Sequence, residues 1–192
     1  MADTKKTTVP TREQAWELLT QHMKDEGLLK HSLAVEACMR HYARRYGEDE
    51  ERWAVTGLLH DLDYEKHPSP EEHPAVGAGM LRDLGYPEDI VQAVAGHADH
   101  MQVPRETVMA KALYAVDELA GFVTAVALVR PSKKVADVKV RSVKKKMKDK
   151  AFARNCDREQ MLRSAEELGE SFDDHVALVI EAMSEVADSL GL

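Results

Sequence analysis

The sequence of 192 residues predicts an all-α fold built as a single domain. Apolar side chains recur at intervals of three and four residues along most of the chain. Capping residues, Pro and Gly punctuate those intervals, and no stretch alternates apolar and polar positions as a half-buried strand does.

The elements follow in order. Pro10 and Thr11, with Gln14 three residues on, read as a capping box that opens a helix through Trp16, Leu19 and Met23. A second helix is expected over about 28–46, with Leu33, Ala37 and Met39 apolar and Gly47 as its stop. The third, about 50–61, buries Trp53, Val55, Leu58 and Leu59, and the segment 63–73, with Pro68 and Pro70, reads as a loop. Pro74 suits the first turn of a fourth helix ending at Gly85, and Pro87 opens a fifth that runs to about His97. Beyond Pro104 a long apolar helix is expected over 106–129, stopped by Pro131. A basic helix near 136–148, one near 158–168 and one near 173–190 complete the chain. Phe122, Val126 and Val129 are expected in the core, with Met80, Met101, Met109 and Met147 as packing residues.

Composition narrows the function. Hydrophobic content is 44% and charged content 31%, which excludes wholesale disorder. No apolar run approaches the roughly 18–20 residues a bilayer crossing needs, and the opening MADTKKTTVP lacks the apolar stretch of a secretory signal. Two cysteines, Cys38 and Cys156, are too few for a disulfide framework, so a cytoplasmic location is expected. The net charge of −8 is uneven: residues 130–154 carry eleven Lys or Arg against two Asp. An acidic body repels long nucleic acid, whereas one concentrated basic segment suits either a solvated helix face or the handling of a single phosphorylated group.

Nine histidines are many for this length, and their placement is informative. His60 and Asp61 end an apolar helix, where imidazole and carboxylate together make an N/O field that Fe, Mn, Zn or Mg accepts. His31 and His73 each stand near a predicted helix start. His97 and His100, three apart, share a face if the helix persists that far. Asp117 sits among Leu113, Tyr114, Ala115, Val116 and Leu119 on the long apolar helix. A carboxylate there needs a partner, either a metal or a cation such as Lys111, unless it faces solvent. His22, His41, His67 and His175 fit no such pattern and read as surface or packing residues, and Glu118 reads as an exposed charge or a support for a ligand.

The order His31, Leu58-Leu59-His60-Asp61 and Asp117 resembles the His-Asp (HD) superfamily of metal-dependent phosphohydrolases, an all-helical fold. The runs His73-Pro74-Ala75-Val76-Gly77-Ala78 and Ile90 through His97 resemble the subgroup with extra histidines for a second ion. Farther on, Val116 to Phe122, Arg130 to Lys134 and Val143 to Lys146 resemble an HDIG-like small bacterial branch described only as predicted hydrolases. The resemblance implies an N-terminal helix within 1–27, a metal-binding core over 28–130, and a basic helix and C-terminal helices of the same domain over 131–192. It implies that His31, His60, Asp61 and Asp117 hold one divalent ion, and that His73 and His97 complete a second site bridged by Asp61. His100 is a further candidate ligand, although Ala98 fills the place where the subgroup's common form has a second histidine directly after the first. The acid that many members carry shortly after the His-Asp pair is replaced by Tyr64, which leaves Asp63 and Glu65, either side of it, as candidate proton donors beside Asp61.

The implied chemistry is hydrolysis of a small phosphorylated metabolite or nucleotide. One or two ions acidify a bound water and neutralise phosphoryl charge. Arg130, Lys133, Lys134 and Lys144 are the expected phosphate-binding residues, Arg gripping bidentately and Lys as a point charge. A di-iron oxygenase of the same superfamily and a nucleotide-sensing metal module without turnover are the alternatives.

Overall fold

The computed structural model describes residues 9–192, so most of the opening stretch examined for a secretory signal lies outside the described residues. Ten helices are described, with no strand among the described residues. They are α1 (Arg12–His22), α2 (Glu26–Tyr46), α3 (Glu50–Leu59), α4 (Ala75–Asp83), α5 (Glu88–Gly96), α6 (Val108–Leu128), α7 (Val140–Met147), α8 (Arg158–Leu168), α9 (Phe172–Glu185) and α10 (Ala187–Leu190).

Local chemistry sets most of these ends. The Gln14 backbone N–H donates to Thr11 Oγ1 while the Thr11 N–H donates to the Gln14 side chain, a reciprocal cap for α1. Asp25 caps α2 through the Leu28 N–H, and Gly47 ends it at φ 71°, a backbone conformation that costs other residues strain. Asp49 and Thr107 cap α3 and α6 in the same manner.

The helices pack around α2 and α6. α3 lies along α2, and the approach is close because of Gly57: a Cβ there would meet Met39 Cγ at 2.9 Å and the Val35 carbonyl oxygen at 3.1 Å. That closeness sets the end of α3, with His60 and Asp61, beside the start of α2, with His31. α6 contributes a continuous buried run, including Leu113, Val116, Leu119, Ala120, Phe122 and Val123. α8 and α9 pack on α6, and α9 also lies against α2, so the last third of the chain covers the core built by the first. No helix among the described residues is long and apolar enough to cross a membrane.

Several details differ from the sequence expectation. The basic helix is shorter, because residues Val135–Asp137 form a separate 3-10 turn with buried Val135 as its anchor. The terminal helix breaks at Val186 (φ −113°, ψ 16°) into α9 and α10. Val129 caps α6 and is 59% exposed rather than in the core, because the helix end projects past the neighbouring packing.

Two polar clusters fasten the assembly. Asp99, in the turn after α5, accepts from Tyr114 Oη of α6 at 2.7 Å and from Arg163 of α8 at 2.6 Å, and pairs with Arg105 at 3.1 Å. Arg105 also bonds Glu167 of α8 at 3.0 Å, with its guanidinium 3.7 Å from the centre of the Tyr114 ring. Elsewhere His175 of α9 is fully buried: its Nε2–H donates to the Ala115 carbonyl at 2.9 Å, and its Nδ1 accepts from Tyr42 Oη at 2.5 Å. His41 and His67 pair with Glu185 and Glu72 instead.

Burial lowers the His175 pKa to about 4. The unfolded chain, with an ordinary imidazole near 6.5, therefore binds the proton first as pH falls, and stability contributed by neutral His175 declines between about 6.5 and 4. In full the loss is on the order of 3 kcal/mol. Melting curves of wild type and His175→Gln should therefore converge as pH falls from 7 towards 4; a constant gap would show that His175 does not titrate on unfolding.

Candidate metal centre

Four helices and one turn converge on a hollow of about 290 Å³ lined by His31, Asp61, Tyr64, His73, His97 and Asp117. His31 comes from α2, Asp117 from the middle of α6, and His97 from the C-terminal end of α5. His60 and Asp61 follow the last turn of α3, and His73 precedes α4. His60 and His97 are nearly or wholly buried.

Asp61 organises the hollow by dividing its two oxygens. Oδ2 faces His60 Nε2 at 3.3 Å and His31 Nε2 at 3.9 Å, and Asp117 Oδ1 stands 2.9 Å from His31 Nε2 and 3.5 Å from His60 Nε2. Oδ1 faces His73 Nε2 at 3.4 Å and His97 Nε2 at 3.5 Å. Two sets of donor atoms thus share one carboxylate: His31, His60 and Asp61, and Asp61, His73 and His97, each set within 4.8 Å of itself. Asp117 adds a second carboxylate to the first set.

The outer nitrogens of three rings are already committed. His60 Nδ1–H donates to the Gly57 carbonyl at 2.8 Å, and His97 Nδ1–H to the Val94 carbonyl at 2.6 Å. His73 Nδ1–H donates to Asp63 Oδ1 at 2.8 Å. Each bond leaves the Nε2 lone pair aimed inward, the tautomer a metal requires. His60 Nε2 is buried without a hydrogen-bond partner, and His73 and His97 set their Nε2 atoms 3.2 Å apart. Two acceptor lone pairs at that distance repel unless a cation lies between or beside them. The donor set therefore fits a divalent metal.

The electrostatics agree. Burial opposes charge on His60, yet Asp61 and Asp117 outweigh it and hold its pKa well above the usual imidazole value, so a proton and a metal ion compete for its Nε2. Burial likewise opposes charge on Asp61, and His60 and His97 reverse this and hold its carboxyl well below the usual range. Asp117 is lowered in the same way, by His31 and His60 against the effect of burial. A negative hollow of this kind favours any cation that enters it.

Other predicted residues have different places. Asp63 is not a free proton donor on a solvent-facing loop. It is buried, and besides His73 it accepts from the Gly77 N–H at 2.6 Å, which makes it a support for His73. Gly77 is needed for this approach, since a Cβ would lie 3.0 Å from the Asp63 carboxyl carbon. Glu65 is also turned away: its Oε2 accepts from the backbone N–H groups of Lys24 and Asp25, at 2.6 and 2.9 Å, at the start of α2. His100 does not share a face with His97. α5 ends at Gly96, and His100, in a 3-10 turn, bonds its Nε2 to the His73 carbonyl at 2.9 Å.

The basic residues do not line the hollow. Asp117 lies mid-helix, and thirteen residues of helical rise put Arg130 about 20 Å along the axis, beyond an arginine's reach. Lys133 and Lys134 follow it, and Lys144 pairs with Asp173 of α9 at 2.8 Å. Tyr64 and Glu118 also border the hollow. Tyr64 sets its ring edge-on to His73, centroids 4.9 Å apart. Glu118 is half-buried, accepts from the Asp157 N–H at 2.9 Å, and has its pKa raised by burial and by Asp117. Adjacency to Asp117 was the only sequence signal for Glu118; its cover comes from the start of α8.

This is a helical His/Asp metal-binding domain. Residues 28–121 match the family model for the HD domain. Ribonuclease Y of Oleidesulfovibrio alaskensis is 33% identical over 97 residues, which is 50% of this chain and 18% of that protein. Ribonuclease Y of Nitratidesulfovibrio vulgaris and of Syntrophobacter fumaroxidans match over the same lengths and shares, at 32% and 33% identity. The chain therefore matches less than a fifth of the length of these relatives. No solved structure matches it significantly.

Asp63→Ala should weaken metal binding by about 10–100-fold, the usual consequence of freeing a ligand histidine, while the helical circular dichroism stays unchanged. Competition with a chromophoric chelator measures this, and unaltered affinity would remove Asp63 from the support of His73.

Proposed function

We propose that the chain is a metal-dependent phosphohydrolase acting on phosphate esters of nucleotide or small-metabolite size. The observation that carries this reading is the division of Asp61, with Oδ2 turned to His31 and His60 and Oδ1 to His73 and His97. A divalent ion at such a centre supplies Lewis acidity towards a phosphoryl oxygen and brings the pKa of a bound water towards about 7. The protein's part is positional. Carbonyl and carboxylate partners fix the His60, His73 and His97 rings, Asp61 and Asp117 offset cationic charge, and Tyr64 lines the hollow beside His73.

The similarity to proteins named ribonuclease Y supports a phosphodiester or nucleotide substrate. The net charge of −8 favours a short substrate over long nucleic acid. A cytoplasmic setting accords with two free cysteines, Cys38 and Cys156.

Protein purified without chelators should contain Fe, Mn, Zn or Mg and hydrolyse nucleotides, phosphomonoesters or short oligoribonucleotides. Asp61→Ala should lose both the metal and the hydrolysis while keeping its helical content; full metal content in that variant would contradict the shared-carboxylate centre. Iron accompanied by substrate-dependent oxygen consumption would favour an oxygenase instead. Lys133→Ala should alter KM by less than about twofold, since exposed charges beyond about 10 Å are screened. A larger rise in KM would return the basic segment to the site.

A further inference from the structure

A second cavity, of about 270 Å³, adjoins the metal hollow, and His31 and Gly121 line both. Its remaining wall includes Lys30, Thr124, Leu128 and Leu190. Gly121 lies within α6 with no unusual backbone angle, and a Cβ there would meet nothing within 4 Å. Neither tight packing nor turn geometry accounts for a residue that weakens the middle of a helix. What its missing side chain leaves open is the passage between the two cavities.

The cleft has the character of a ligand site. Leu128, 49% exposed, offers an apolar wall, Thr124 a hydroxyl, and Lys30 a cation with no ion pair among the described residues. Lys30 directly precedes His31, and its ammonium stands at the Gly191 wall of the cleft, where a Cβ on Gly191 would lie 3.3 Å from Lys30 Nζ. The volume suits a fragment of about nucleoside size rather than a larger ligand.

Building on the phosphohydrolase reading, we propose that this cleft is a substrate subsite: it takes the nucleoside portion of a nucleotide whose phosphate occupies the metal hollow, with Gly121 as the open passage and Lys30 as the cation of the cleft wall. Specificity for the organic part of the substrate then belongs to α2 and α6, while the ligands of the metal hold the phosphate.

The test is calorimetric binding of adenosine monophosphate and of inorganic phosphate to the full chain loaded with Mn²⁺. Wild type should prefer adenosine monophosphate by about tenfold or more, the return on filling an additional apolar cleft. Gly121→Leu, which closes the passage, and Thr124→Trp, which fills the cleft from a residue that does not line the metal hollow, should each bring that preference close to unity. Helix propensity predicts a melting temperature for Gly121→Leu no lower than that of wild type, so lost selectivity would not be lost folding. Inorganic phosphate binding with no preference for adenosine monophosphate, or a preference that survives both substitutions, would overturn the subsite alone. Failure of wild type to bind inorganic phosphate would overturn the phosphohydrolase reading and the subsite with it.

Discussion

The structure depends on the orientation of the Asp61 carboxylate. A buried carboxylate is costly unless its charge is answered, and here both oxygens face imidazole nitrogens across a gap that a shared cation would complete. Those imidazoles come from different elements, so one residue fixes the relative positions of α2, α3, α5 and the segment before α4. Gly57 supports this from beneath by letting α3 approach α2 closely enough for the His60-Asp61 corner to reach His31. The main-chain carbonyls of Gly57 and Val94 then select the ring tautomers. The site is thus assembled as much by backbone as by side chains.

Much of this was legible in the sequence because the signals were local. Thr11 and Gln14 declared a cap, Gly47 a stop, and Pro104 with Pro131 bracketed the long apolar helix. Asp117 stood out because a carboxylate amid Leu113, Val116 and Leu119 requires a partner, and its partners are His31 and His60. His60 and Asp61 diverge by a helical step yet straddle one hollow, because α3 ends at Leu59 and leaves them at a free corner.

What was not legible depended on contacts between distant segments. Asp63 and Glu65 look alike in sequence, but Asp63 is drawn under His73 by the Gly77 N–H, and Glu65 is drawn to the start of α2. The basic residues follow Asp117 closely in sequence, yet a straight helix turns that proximity into distance. His175 resembled any surface histidine until Tyr42 and Ala115 closed around it. Glu118 is covered only because the start of α8 folds back to it.

The Asp99, Arg105 and Arg163 cluster bears on modularity. The segment that matches the family ends at residue 121, yet the turn carrying His100, directly after His97, is tied down by Arg163 and Glu167 of α8. An excised 28–121 fragment would keep every candidate ligand while losing the brace on one half of the centre. The family segment is therefore no self-sufficient cassette in this chain: its geometry is underwritten by residues that a transplant of the motif would leave behind.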